Sequence, residues 1–334
     1  MNIIKNFSPS WFAMIMGTGI LSINAHFYSY FFSPLQKLSY ILFYFNLFMF
    51  FILIIPWVLR WILFPQEAKK DLFHPITTAF YPTIAVAMLV IAAGFLKILN
   101  NSLYAFWFWS AGTVLMIFFA FIVPLIMFSH ENIKIDHINP GWYIPPVGLI
   151  VIPIAGSFFE HSVSKTFNEI ITVINYSAWG AGFFLYLSLL SIIIYRLILH
   201  SPLPGKIAPT IWINLGPIGA GSIALINIIK NSSYVNIKEP FFVFTFIFWG
   251  FGLWWFIMAI IMTLNYIKKS QLNYSMAWWA FIFPLGAFCA SSHLISKILK
   301  LDLINHIGYG IFWLLFGMWT ITLLFTLKNL KNIL

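Results

Sequence analysis

Ten stretches of 22 to 33 residues in this chain contain no Asp, Glu, Lys or Arg, and its 26 charged residues all fall in the short segments between and around them. The runs are 6–36, 38–59, 72–96, 98–130, 137–159, 170–195, 207–229, 240–267, 270–296 and 303–327. A helix needs roughly 20 residues to cross a hydrocarbon core about 30 Å thick. One charge at mid-bilayer costs about 2.5–3.5 kcal/mol on the insertion scale, so ten clean gaps predict an all-α integral membrane protein with ten transmembrane helices. With 61% hydrophobic and 8% charged residues, the composition excludes an ordinary soluble domain. The longest connections run to about a dozen residues, which predicts a single domain over 1–334 with no appended catalytic or regulatory unit. The first run lacks a small-residue cleavage site and is too long for a signal-peptide core, so it is expected to be retained.

The formal net charge of +10 comes from Lys and Arg scattered one to three per loop. That distribution fits membrane topology rather than a nucleic-acid surface. With ten spans, the side carrying the termini holds eleven of the 18 Lys and Arg, and the other side seven. By the positive-inside rule both termini are expected in the cytoplasm, and the chain is expected in the plasma membrane. The single cysteine, Cys289, lies inside the ninth run, which excludes an intrachain disulfide.

Landmarks at the starts of the odd-numbered runs, Pro9, Pro75, Trp142, Pro209 and Met276, are separated by 66, 67, 67 and 67 residues. Five tandem helical hairpins follow from this spacing, and two helices per unit make the repeats parallel, so a quasi-five-fold ring about the membrane normal is expected. The two helices of each unit differ. Odd runs hold eleven prolines and even runs three, and Pro82, Pro145, Pro146, Pro153, Pro217 and Pro284 lie inside odd runs. A proline within a helix frees a carbonyl and kinks the axis, which a wet or protein-lined cavity accommodates better than lipid does. Odd helices are therefore expected to be inner and pore-lining. Greasy even runs are expected to be outer and lipid-facing.

The first run opens Phe7-Ser-Pro9-Ser-Trp11 and continues through Gly17-Thr18-Gly19. His74-Pro75, Trp142-Tyr-Ile-Pro145-Pro146-Val-Gly148, Trp212-Ile-Asn-Leu-Gly216-Pro217-Ile-Gly219 and Ala277-Trp278-Trp279-Ala-Phe-Ile-Phe283-Pro284 mark the other odd runs. Together they resemble the tellurite-resistance and dicarboxylate transporter family, related to plant slow anion channels and to fungal malate and sulfite transporters. The resemblance covers essentially the whole chain and implies a ring of five hairpins around a central pore, assembled as a homotrimer. It places on Phe283 the role of a ring that occludes the pore, and on Gly17 that of a small residue beside it. The alternatives are a core phenylalanine and a helix-packing glycine. Thr18, Pro82, Pro146, Gly216, Pro217 and Pro284 complete the expected pore lining.

No acidic residue lies inside a run, which disfavours a cation pore or a carboxylate proton relay and favours an anion or a neutral solute; the resemblance implies small anions, of the C4-dicarboxylate (malate), tellurite, sulfite, chloride or nitrate class. His26 and His293 lie within inner runs and are candidates for a proton or anion site, or are interfacial histidines bonded to neighbouring carbonyls. A proton-coupled dicarboxylate or sulfite carrier is the alternative to a channel. The same histidines form the one conceivable haem pair, but no metal-ligand spacing, phosphate loop or nucleophile motif is present, so no cofactor and no enzymatic activity are expected.

Overall fold

The computed structural model describes residues 2–74, 77–129, 134–160 and 164–330; Pro75, His130, His161 and Lys331 lie outside them. It is all-helical over those residues. The helices are α1 Asn2–Lys5, α2 Phe12–Phe27, α3 Pro34–Leu63, α4 Pro65–Leu72, α5 Thr83–Lys97 and α6 Ser102–Phe128. They continue with α7 Ile144–Gly156, α8 Lys165–Leu199, α9 Leu215–Asn231, α10 Glu239–Lys268, α11 Ile282–Leu299 and α12 Asp302–Lys328.

Eight helical segments, rather than ten, are long and apolar enough to cross a membrane among the described residues. The two shorter ones are α2, at 16 residues, and the apolar segment Pro140–Gly156. Their charge-free runs are long, but only part of each run is α-helix. Short 3-10 turns lead into each odd-run helix, at Pro9–Trp11, Thr78–Phe80, Pro140–Tyr143, Ala208–Asn214 and Met276–Phe281. This recurring entry, at intervals of 62 to 69 residues, is the backbone form of the sequence repeat.

The entry turns also change the meaning of the prolines. Pro82 is the residue before α5, Pro145 and Pro146 stand in the first turn of α7, and Pro217 and Pro284 are the third residues of α9 and α11. In a first turn the missing N–H had no intrahelical partner, so these prolines start helices and do not kink them. Prolines interior to a helix are Pro153 in α7 and, on the other class of helix, Pro56 in α3 and Pro124 in α6. Pro34 begins α3 rather than belonging to the first inner helix.

Burial alternates along the chain. Between 78 and 100% of the most apolar stretch is buried in the segments Thr78–Lys97, Ala208–Asn231 and Met276–Leu299, against 22–33% in α3, α6, α8, α10 and α12. In α2 every residue but Ala13, His26 and Phe27 is buried, and in α7 every residue but Ile154. The five buried helices pack in succession: α2 on α5, α5 on α7, α7 on α9, α9 on α11, and α11 back on α2. Polar bonds cross these contacts: Asn24 Nδ2 donates to the Gly286 carbonyl at 2.9 Å, Thr83 Oγ1 to Pro9 at 2.8 Å and Asn227 Nδ2 to Ile154 at 3.0 Å.

A second recurrence fixes the exposed helices. Trp109, Trp179, Trp249 and Trp319 follow one another at 70-residue intervals. Each indole N–H reaches the buried helix of the following unit: the Ile152 carbonyl, the Gly221 carbonyl, Ser292 Oγ and Thr18 Oγ1, at 2.8–3.0 Å. The last of these bonds ties α12 to α2. A buried indole N–H without an acceptor costs roughly 1–3 kcal/mol, so each tryptophan sets the rotation and depth of its helix.

Small residues let the backbones meet. A Cβ on Gly219 would lie 2.4 Å from the Ala287 carbonyl carbon and the Phe288 nitrogen, and one on Gly286 would lie 2.5 Å from Ile20. At Gly250 a Cβ would meet nothing within 4 Å. Gly219→Ala is therefore expected to destabilise the fold by ~1–3 kcal/mol, the cost of overpacking. Gly250→Ala should leave the apparent melting temperature in detergent unchanged. Equal melting of the two variants would contradict this packing.

Candidate transport pathway

The buried helices carry their cavity-facing residues in a shared register. On α2 and its entry turn the stripe is Ser10, Ala13, Met16, Ile20, Ile23 and Phe27; on α5 it is Phe80, Thr83, Val86, Val90, Ala93 and Lys97. Steps of three and four residues keep a stripe on one helical face. The same rhythm gives Ile144, Val147, Val151 and Ile154 on α7, and Ile213, Gly216, Ala220, Ile223 and Asn227 on α9 and its entry turn. On α11 and its entry turn it gives Ala277, Ala280, Phe283, Ala287, Ala290 and Leu294.

These stripes line two small cavities of about 40 Å³ each. One water needs roughly 10–15 Å³ on this measure, so each holds only a few. The first cavity lies at the N-terminal ends of the buried helices and the second at their C-terminal ends. Among the described residues, Phe283 alone lines both. In the common register its position is shared with Met16, Val86, Val147 and Gly216. Phe283 is buried, and its level holds no side chain on α9, where a Cβ on Gly216 would find its nearest neighbours only at 3.8 Å.

Of the other residues expected in the pathway, Gly216 and Pro284 line the N-terminal cavity. Thr18, Pro82, Pro146 and Pro217 line neither cavity. Thr18 is buried on the opposite face, where it accepts from Trp319. Pro146 turns outward to a groove with α6 and α8, its carbonyl 2.6 Å from the place of a Cβ on Gly182. Gly17 is a packing position, since its Cβ would lie 3.0 Å from Ile282 and 3.2 Å from Trp279.

The histidines also stand off the cavities. His293 Nδ1 lies 3.2 Å from Asn305 Oδ1, Asn305 Nδ2 bonds the Tyr30 hydroxyl, and the imidazole stacks on Phe27 at 4.9 Å. His26, at the end of α2, has its Nδ1 buried without a partner.

Two polar side chains line the C-terminal cavity that the sequence reading did not single out, Lys97 and Asn227. Lys97 is the sole charge separating runs 72–96 and 98–130, so it reads as a loop residue. The structure makes it the last residue of α5, with its Nζ 4.0 Å from the centre of the Phe158 ring. Aligning the repeats on their three-and-four stripes would have placed it on the cavity face. Thr83 lines the other cavity, but its hydroxyl proton is shared between the Pro9 and Phe80 carbonyls, so the hydroxyl is committed to the helix entry rather than to the pathway.

Single cysteines in a Cys289→Ala background test the lining. Ala13→Cys is expected to react with a small methanethiosulfonate from one membrane face only and Ala93→Cys from the other only. Thr18→Cys and Pro146→Cys should not react from water. Equal labelling of Ala13→Cys and Ala93→Cys from both faces would contradict the division at Phe283.

A family model described as voltage-dependent anion channel matches residues 6–327. An uncharacterized transporter of Methanocaldococcus jannaschii is 59% identical over 326 residues, covering 98% of this chain and 94% of the relative. A sulfite efflux pump of Trichophyton rubrum is 25% identical over 321 residues, covering 88% and 83%. A malic acid transport protein of Schizosaccharomyces pombe is 23% identical over 332 residues, covering 92% and 74%.

Proposed function

The chain belongs to the voltage-dependent anion channel family, and on that premise we propose that it passes small anions along the axis enclosed by its five buried helices, with Phe283 as the obstruction. The five hairpins then form a quasi-five-fold ring, buried helices inside and exposed helices toward lipid, with both termini cytoplasmic. The observation that carries this reading is the sharing of Phe283 between two otherwise separate cavities. A bulky ring in an apolar constriction stops ions because the passage cannot hold a continuous column of water.

The sign of the ion follows from helix direction. All five buried helices point their N-terminal ends at the first cavity, each equivalent to roughly half a positive charge. An anion there is attracted without any cationic side chain in the lining. Among the described residues no Asp, Glu or His lines either cavity, which favours a channel-like path over a proton-coupled carrier. The names of the relatives put sulfite and malate, besides chloride, nitrate and tellurite, among the anions to be tried.

The test is anion efflux from proteoliposomes. Phe283→Ala is expected to raise chloride and sulfite flux about tenfold or more, equivalent to ~1.4 kcal/mol off the barrier. Phe283→Leu should fall between. Unchanged or lower flux in a variant that still elutes as folded protein would make Phe283 a packing residue and remove it as the obstruction.

A further inference from the structure

Helix direction creates a difficulty at the far end of the pathway. The five C-terminal ends converge on the second cavity, and their free carbonyls make it as repulsive to an anion as the first is attractive. Basic residues stand in the last turns of four of these helices: His26, Lys97, Lys230 and Lys297. Lys97 alone of these lines the cavity.

Lys97 is half-buried, it takes part in no ion pair among the described residues, and its one charged-group contact is the face of Phe158. A cation–π contact offsets only part of what an ammonium loses on leaving water. Asn227 occupies the equivalent register position on α9, its Nδ2 donating to the Ile154 carbonyl. Both residues stand eleven positions beyond the Phe283 level, ~16 Å along the helix axis.

We propose that Lys97 is the anion-binding residue of the C-terminal cavity, pairing there with a small halide or oxyanion that passes the Phe283 level. This rests on the reading of the chain as an anion pathway. The site makes the two ends of the pathway different: backbone dipoles serve the first cavity, and one side-chain charge serves the second. Lys230 is exposed and lines neither cavity, so it separates a bound ion from a general surface potential.

Excised patches carrying Phe283→Ala, with chloride raised on one face at a time, provide the test. Adding Lys97→Gln is expected to raise the half-saturating chloride concentration about tenfold from one face, the one opposite the termini, and to change it less than twofold from the other. Lys97→Arg and Lys230→Gln should each change it less than twofold. Equal shifts in Lys97→Gln and Lys230→Gln, or no shift in Lys97→Gln, would overturn the proposal. If Phe283→Ala carries no anion current, the proposed function falls. Lys97 is then decided by chloride NMR line broadening on the purified wild-type protein. Loss of sulfite-displaceable broadening in Lys97→Gln upholds the site, and unchanged broadening removes it.

Discussion

The close approach of the buried helices governs the rest of this structure. Lipid is as apolar as the side chains it replaces, so helices in a membrane are held by van der Waals contact and by polar bonds between them. Glycines stand at all five contacts between neighbouring buried helices, four of them being Gly19 against Val90, Gly148 against Val86, Gly219 against Ala287 and Gly286 against Ile20. Across the α7–α9 contact, Gly216 and Gly221 face Val147 and Ile150. Helices that meet this closely leave along their axis only two cavities of about 40 Å³, each with room for a few waters. One ring at Phe283 is then large enough to divide it.

The exposed helices brace the inner ones through a few polar contacts. The tryptophans at 109, 179, 249 and 319 bond forward to the next unit, and glycines at 112, 182 and 252, three residues further on, let each helix settle on the buried layer. At the terminal face, buried Arg60 donates to the Lys5 and Phe7 carbonyls and pairs with Asp71 at 2.5 Å, fixing the lead into α2. In the proposed pathway, helix direction alone favours an anion at the N-terminal cavity, while at the C-terminal cavity the same dipoles oppose it and the Lys97 charge offsets them.

Much of this architecture is legible in the sequence, because the penalty for charge in lipid is large and local. The charge-free runs locate the helices, and the unequal distribution of proline separates buried from exposed ones. The physical role of those prolines was not legible. A run of apolar residues does not reveal where 3-10 backbone gives way to α-helix, so first-turn prolines read as kinks and two short helices read as full spans. Thr18 and Pro146 lie off both cavities for a related reason: a motif gives depth along a helix but not rotation about it. Rotation is carried by the three-and-four stripes, which also bring Lys97 onto the cavity face despite its position between two runs.

If the five buried helices enclose an anion path closed by Phe283, removing that ring must release an anion-selective current. The measurement is the reversal potential of Phe283→Ala in a planar bilayer under a potassium chloride gradient. A value near the chloride equilibrium potential is expected, with no current above background in the wild-type protein. A value near the potassium equilibrium potential would contradict the anion path.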